Sequence, residues 1–215
     1  MKKKVMSGLL TLVLLLTLAA CGNDSSPQTV TEKAIDAVKA VDVDATEQYW
    51  GEDFFMDMLS ETVKSDPDSY DKFLTLFTHI VKNLDYQIID TQTDGDTAAV
   101  TVRIKNVDMS QLLTDYLTQL FQEAADYQSM PEDERPSDDE LDEKYMTMLY
   151  DMLDDEDAPM VINTVTVTLT KTDGQWVISP DDEVTDALLG GIMAFENNLA
   201  DTLSSLGAAE SGSGN

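Results

Sequence analysis

Apolar residues recur along this chain with two different periods, and the switches between them lay out the elements. Val30, Ala34, Val38 and Val41 sit about four apart behind Thr29 and Glu32, a capping-box pair, which predicts a short amphipathic helix over 29–41. Tyr49, Trp50, Phe54, Met58 and Leu59 predict a second helix over 45–59, weakened by Gly51. Asp66-Pro67-Asp68 breaks the chain. Over 69–83, Tyr70, Phe73, Leu74, Phe77, Ile80 and Val81 share one helical face roughly 120° wide. His79 falls nearly opposite the centre of that face. The single histidine is therefore expected to be a solvated surface residue, neither ligand nor base.

The period then drops to two. Leu84, Tyr86 and Ile88 alternate with polar neighbours, Asp94-Gly95 marks a turn, and Val100, Val102 and Ile104 alternate with Thr101, Arg103 and Lys105. A hairpin of 84–92 with 98–107 is predicted, buried on one face. Arg103 and Lys105 are expected to partner nearby carboxylates. Residues 108–153 interrupt the sheet. Asp108 and Gln111 cap a helix over about 109–127, with Leu112, Leu113, Tyr116, Leu117 and Leu120 on one side. Ser137 and Glu140 open another over about 138–153, with Leu141, Tyr145, Met148, Leu149 and Met152 aligned. The loop Pro131–Pro136 joins them into an αα-hairpin.

Strand pattern resumes after Pro159. Val161, Asn163, Val165, Val167 and Leu169 share a parity against Thr164, Thr166, Thr168 and Thr170. Asp173-Gly174 turns 161–171 back onto 175–179, and Trp176 is expected to be largely buried. Ser179 as N-cap, Pro180 at the first position and acids in the first turn start a last helix over about 181–206. That helix carries Val184, Leu188, Ile192, Phe195, Leu199 and Leu203, with Gly190-Gly191 inside it. Each glycine costs up to about 1 kcal/mol relative to alanine, which predicts a kink or the close approach of a neighbouring backbone. The economical arrangement packs 109–127, 138–153 and 181–206 on one another and on the sheet. The fold class is α+β: antiparallel hairpins with helices against one face.

One apolar run belongs to none of these elements. Lys2, Lys3 and Lys4 precede an uncharged, leucine-rich core from Val5 to Thr17, then the small residues Ala19 and Ala20. That is the layout of a secretory signal. It is shorter than the ~20 apolar residues that span a bilayer and has no cationic stop flank. Leu18-Ala19-Ala20-Cys21 resembles the lipobox of bacterial lipoproteins. The resemblance implies cleavage between Ala20 and Cys21, a diacylglyceryl group on the Cys21 sulfur and further acylation such as palmitate. Residues 1–20 are then a signal peptide, 21–28 a lipidated flexible tether, 29–206 a single domain with 108–153 inserted, and 207–215 a disordered tail.

The 215 residues carry 13 Lys and Arg against 42 Asp and Glu, a net charge of −29. Losing the signal removes three lysines and no acid, which leaves 195 residues at −32. Such acidity argues against nucleic acid and against electrostatic attachment to anionic lipid. Membrane contact then rests on acyl chains, two of which suffice for stable anchoring. With one cysteine no intramolecular disulfide forms. Between 131 and 157 thirteen acids face two bases. Asp154-Asp155-Glu156-Asp157 lacks the alternate ligands and the glycine of a calcium loop, so it is read as a solvated acidic loop and no metal or cofactor is assigned. A cationic partner, or a protein partner in the cell envelope, fits the charge.

Three N-terminal helices followed by hairpins that end in Asp173-Gly174-Gln175-Trp176-Val177-Ile178 resemble the cone-shaped domain of the nuclear-transport-factor-2-like superfamily. The resemblance covers about 29–107 and 160–180. It implies a curved antiparallel sheet around a cone, a fold that serves acid–base enzymes as well as bacterial lipoproteins. The inserted hairpin and the long last helix depart from it. No Gly-x-Ser-x-Gly, no His-Glu-x-x-His and no glycine-rich phosphate loop occurs. No catalytic or ligand-binding residue is singled out, and the methionines, Met146, Met148 and Met152 among them, read as core filler. The function expected is a lipid-anchored, extracytoplasmic, non-catalytic binding or interaction module. The alternatives are a small acid–base enzyme of the cone type, or an accessory subunit docking through its last helix.

Overall fold

Residues 26–51, 54, 67–179 and 181–195 are described by a computed structural model. The signal peptide, Cys21 and most of its tether, the second half of the helix expected over 45–59, Pro180 and everything from 196 onward lie outside the described residues.

The chain starts with α1 (Pro27–Ala40), two residues earlier than expected. Ser26, not Thr29, is its N-cap: the Ser26 hydroxyl accepts from the Thr29 amide at 3.1 Å, and Pro27 occupies the first turn, where no amide partner is needed. Val41 closes the helix in the left-handed region. Helix α2 (Val43–Trp50) is capped by Asp42 and stops at Gly51, whose φ of +108° no helix accepts. The indole of Trp50 donates to the Ala34 carbonyl at 2.9 Å and locks α2 onto α1. Helix α3 (Pro67–Val81) buries Phe77, Ile80 and Val81 as its periodicity requires.

Four antiparallel strands follow in sequence order, β1 (Asp85–Asp94), β2 (Thr97–Val107), β3 (Met160–Thr172) and β4 (Gln175–Ser179). The two expected hairpins form, and β2 pairs with β3 along its whole length, from Thr97 with Thr170 to Val107 with Met160. Asp173 and Gly174 both sit at positive φ, the pair of left-handed residues that a two-residue I′ turn needs. A bulge between Ile88 and Asp90 leaves Ile89 46% exposed. Val100, Val102, Ile104, Val165, Val167 and Leu169 fill the inner face, packed under α1, α2, α3 and α6 (Asp182–Leu188).

Trp176 departs from expectation: it is half-buried, because β4 is a short edge strand, and the Lys171 ammonium lies over its ring at 5.6 Å. The basic residues of β2 depart too. Arg103 reaches the side-chain oxygen of Gln87 at 3.5 Å, and among the described residues neither Arg103 nor Lys105 pairs with a carboxylate.

The last helix is not continuous. Asp181, not Ser179, is its N-cap, and α6 ends at Leu188. Gly190 and Gly191, at φ +67° and +85°, turn the chain before helix resumes at 192–195. The close approach expected of this pair occurs at Gly190 alone. A side chain there would strike the Val107 carbonyl oxygen, whereas the space at Gly191 is open. The Met109 amide donates to the Gly190 carbonyl at 2.9 Å, and the buried Asn106 amide donates to the Leu188 carbonyl at 2.8 Å. Leu188 is buried, and Ile192 and Phe195 are half-buried, so the described part of the stripe proposed for docking is largely covered. Among the described residues, no helix is long and apolar enough to cross a membrane.

Candidate functional site

Between β2 and β3 the chain leaves the sheet as α4 (Met109–Gln128), turns through a single 3-10 turn at Glu132–Glu134, and returns as α5 (Asp138–Asp154). Both N-termini are capped as the sequence dictates. Asp108 accepts from the Gln111 amide, and Ser137 and Glu140 form a reciprocal capping box. Two Ser137 hydrogen bonds, the backbone one larger, hold the Glu140 carboxyl below its usual range.

Among the described residues the hairpin joins the core through its base. Met109 and Leu112 of α4 and Leu149 and Leu153 of α5 are buried, Leu113 and Tyr116 are half-buried against the same core, and Leu117 and Leu120 are half-buried. The Asp108 amide donates to the Pro159 carbonyl at 2.7 Å and closes that base. Farther out the helices are held by polar clasps. The Tyr116 hydroxyl donates to the Tyr145 carbonyl at 3.3 Å, and burial pushes its phenol pKa up. Lys144 reaches Glu123 at 2.8 Å and the Tyr127 hydroxyl at 2.7 Å, and these bonds raise its ammonium pKa, Glu123 first.

Alongside these clasps lie two adjoining cavities. One, of about 410 Å³, runs from Leu112 and Asp115 of α4 to Asp155, Asp157 and Pro159 after α5. The other, of about 500 Å³, is bounded by Glu123 and Lys144 at one end and by Met148 and Asp151 along α5. Gln119, Met152 and Asp155 line both, so they form one groove along the hairpin. The Gln119 amide rests on the Met152 sulfur at 3.7 Å. Met148 and Met152, expected as core filler, are half-buried walls of this groove, whereas Met109 is buried in the core. Asp115, Asp151, Asp155 and Asp157 make no ion pair among the described residues. The Asp155 carboxylate accepts the Asp157 amide at 2.9 Å, and its backbone carbonyl accepts the Ala158 amide at 3.1 Å.

The acidic stretch after α5 thus divides. Asp155 and Asp157 face the groove, but Asp154 turns the other way, onto α3. Its carboxylate meets Lys82 at 2.8 Å and His79 at 2.9 Å, and those two bonds, Lys82 first, hold it below the usual carboxylate range. His79 is therefore not the solvated residue expected: it is half-buried, bonded to Asp154 and stacked on Tyr150 with ring centroids 4.3 Å apart. The helical wheel locates the side of α3 that faces the sheet, but not the inserted helix that covers the opposite side.

Ala20 and Cys21, the positions singled out for cleavage and lipidation, lie outside the described residues. The groove was not foreseen, yet its signal is in the sequence. Asp115, Gln119 and Glu123 recur every four residues on α4, and Thr147, Asp151 and Asp155 do so along α5 and its C-cap. These two polar stripes border the apolar seam of the hairpin.

No curated protein matches the chain. A crystal structure of a "putative lipoprotein (ycdA)" from Bacillus subtilis subsp. subtilis str. 168 is similar over 74% of this chain at 18% identity, with a TM-score of 0.42. The present chain spans 45% of that protein's length. Residues 28–193, most of the chain, match a family described as a domain of unknown function, DUF5105, and the chain belongs to that family.

Proposed function

We propose that this chain is a bacterial lipoprotein held outside the cytoplasm by lipid on Cys21, and that it works as a non-catalytic binding module whose recognition surface is the α4–α5 groove. The observation that carries the anchor is Leu18-Ala19-Ala20-Cys21 at the end of an apolar run with a basic start. The described domain begins at Ser26, close behind that cysteine. The groove supports the binding role: it has the size of a small-molecule site and an apolar wall with polar groups along its edges.

The non-catalytic reading rests on the sequence, in which no Gly-x-Ser-x-Gly, no His-Glu-x-x-His and no glycine-rich phosphate loop singles out a reacting group. The nuclear-transport-factor-2-like kinship belongs to this proposal as well. It is supported by the order of helices first, antiparallel sheet after, and closure on the Asp173–Ile178 hairpin.

Membrane fractionation tests the anchor. Cys21→Ala is expected to leave the chain uncleaved or to release it from the membrane fraction. Full membrane retention of a Cys21→Ala chain that has lost residues 1–20 would overturn the anchor.

A further inference from the structure

We infer that the open half of β3 pairs edge to edge with the same segment of a second copy of this chain, so that one antiparallel sheet runs through two protomers; this goes beyond the groove and does not rest on it. Strand β3 has 13 residues and β4 has 5, so β4 covers β3 from Thr168 to Thr172 and stops. Residues 160–167 pair with β2 on one side and, among the described residues, with no strand on the other. In an antiparallel strand the N–H and C=O of every second residue point to the same side, here away from β2. Among the described residues none of these groups bonds to α6 or to the turn after it. A row of unpaired backbone groups is a template for another strand.

The other edges of the sheet are defended. Strand β1 carries a bulge between Ile88 and Asp90 and the acids Asp85, Asp90 and Asp94, and β4 is short. Bulges, charges and short length are the devices that keep an edge from pairing. The open half of β3 has a continuous register, no proline and no charge. It lies within Ala158 to Thr170, 13 successive uncharged residues in a chain of net charge −29. Ile162 is 60% exposed, and Thr164 and Thr166 are exposed beside it.

A second copy supplies what this edge lacks. A twofold axis perpendicular to the sheet lays the free segment antiparallel against itself, outer face beside outer face. The fullest outward register sets Thr164 opposite the partner's Thr164, and Ile162 opposite the partner's Thr166 on both sides of the axis. Charge favours the same edge. Two such acidic chains repel over much of their surface, but this segment is neutral. Arg103 and Lys105 stand exposed on the adjoining strand, opposite Thr164 and Ile162, and pair with no carboxylate among the described residues. An acidic copy meets little repulsion there. The axis also keeps the helical layers of both copies on one side of the joined sheet. Both tethers can then reach one membrane, and shared anchoring through Cys21 raises the effective concentration.

The test places the full lipidated chain in phosphatidylcholine vesicles and oxidises single introduced cysteines mildly, with non-reducing gels as the readout. The parent, its Cys21 sulfur held in thioether linkage, is expected to give no dimer. Thr164→Cys is expected to give a disulfide-linked dimer, because residues directly opposite in an antiparallel pair have Cβ atoms ~5 Å apart. Thr168→Cys lies on the same strand and face but beside β4, about 27 Å from its copy in this register, and is expected to stay monomeric. Within the Thr164→Cys chain, Ile162→Glu is expected to lower the dimer yield about tenfold, because the axis repeats the loss on both sides. Ile162 is mostly exposed, so circular dichroism should show that variant folded. Ile89→Glu, at the bulge of β1, changes the net charge equally and is expected to alter the yield less than about twofold.

No dimer from Thr164→Cys, or equal loss from the two glutamate variants, would overturn the inference. Equal dimer from Thr164→Cys and Thr168→Cys would also overturn it, in favour of docking through the sheet face. So would a Thr164→Cys adduct in native membranes with a different protein and none with itself, which would give the edge to that protein.

Discussion

The sheet with its covering helices and the α4–α5 hairpin contain similar residues and use them differently. Phe77 of α3 faces the sheet and is 1% exposed, whereas Phe121 of α4 is 74% exposed. Helix α3 meets β2, α1 and α5, so its stripe buries Phe77, Ile80 and Val81 and leaves Tyr70, Phe73 and Leu74 half-buried toward its start. Among the described residues the helix that α4 packs along is α5, and two cylinders cover each other along a narrow seam. Apolar residues beside that seam stay half-covered, and among the described residues Asp115, Asp151 and Asp157 at its edges form no ion pair. The completed core holds the fold. The incomplete packing of the hairpin leaves a groove with walls and unspent charge, so the candidate site sits where packing is least complete.

The widest test of this contrast substitutes phenylalanine in both regions. Phe77→Ala removes a buried ring from the core and is expected to cost about 3–5 kcal/mol. Phe121→Ala is expected to fall within about 0.5 kcal/mol of the parent, as exposed substitutions do. Urea unfolding of the two variants measures both. A large loss at Phe121 would mean that the outer hairpin is covered in solution, and the contrast would fail.

A second test concerns the joint between the two regions, where Val107 and Met109 meet the Gly190 turn. Gly190→Ala combines a left-handed φ with a clash against the Val107 carbonyl oxygen, and is expected to cost about 3 kcal/mol. Gly191→Ala meets open space, so only its φ is penalised, by about 1 kcal/mol. Equal losses in thermal unfolding would show that conformation alone matters at the turn, and that the hairpin is not pinned to α6 by contact there.

The strands were readable from the chain because β-branched alternation and Asp-Gly turns are local signals. The caps at Asp108 and Ser137 were readable for the same reason. Other features depend on neighbours distant in sequence. The half-exposure of Trp176 follows from β4 being an edge, which parity does not reveal. His79 lies 75 residues from Asp154, and nothing in the periodicity of α3 foretells which helix covers its outer side. Gly190 and Gly191 announced a break or a close contact, and both occur. Which glycine bears the contact depends on where the end of β2 passes. The groove was half-written, in two four-residue polar stripes, but which stripe residues share it depends on how the two helices pair.

The smallest expected effect lies at Asp154, which ties the hairpin to α3. Its bonds to Lys82 and His79 hold the folded-state carboxyl below the value of about 3.9 usual for an unfolded aspartate. As pH falls, the unfolded chain therefore takes up this proton first. The stabilisation is complete above the unfolded value and is lost as pH falls through the folded one. The pair is partly exposed and screened, so Asp154→Asn is expected to cost at most about 1 kcal/mol at neutral pH. The gap between parent and variant should then shrink between pH 4 and pH 2, at roughly the unfolded carboxylate value and below. Urea unfolding at pH 7 and at pH 3 measures that gap, with Asp151→Asn as a groove-facing control that forms no ion pair. A gap that stays constant into acid would assign the link to the stacking of His79 on Tyr150 and not to charge. The hairpin would then be fastened to α3 by packing, as it is at its base.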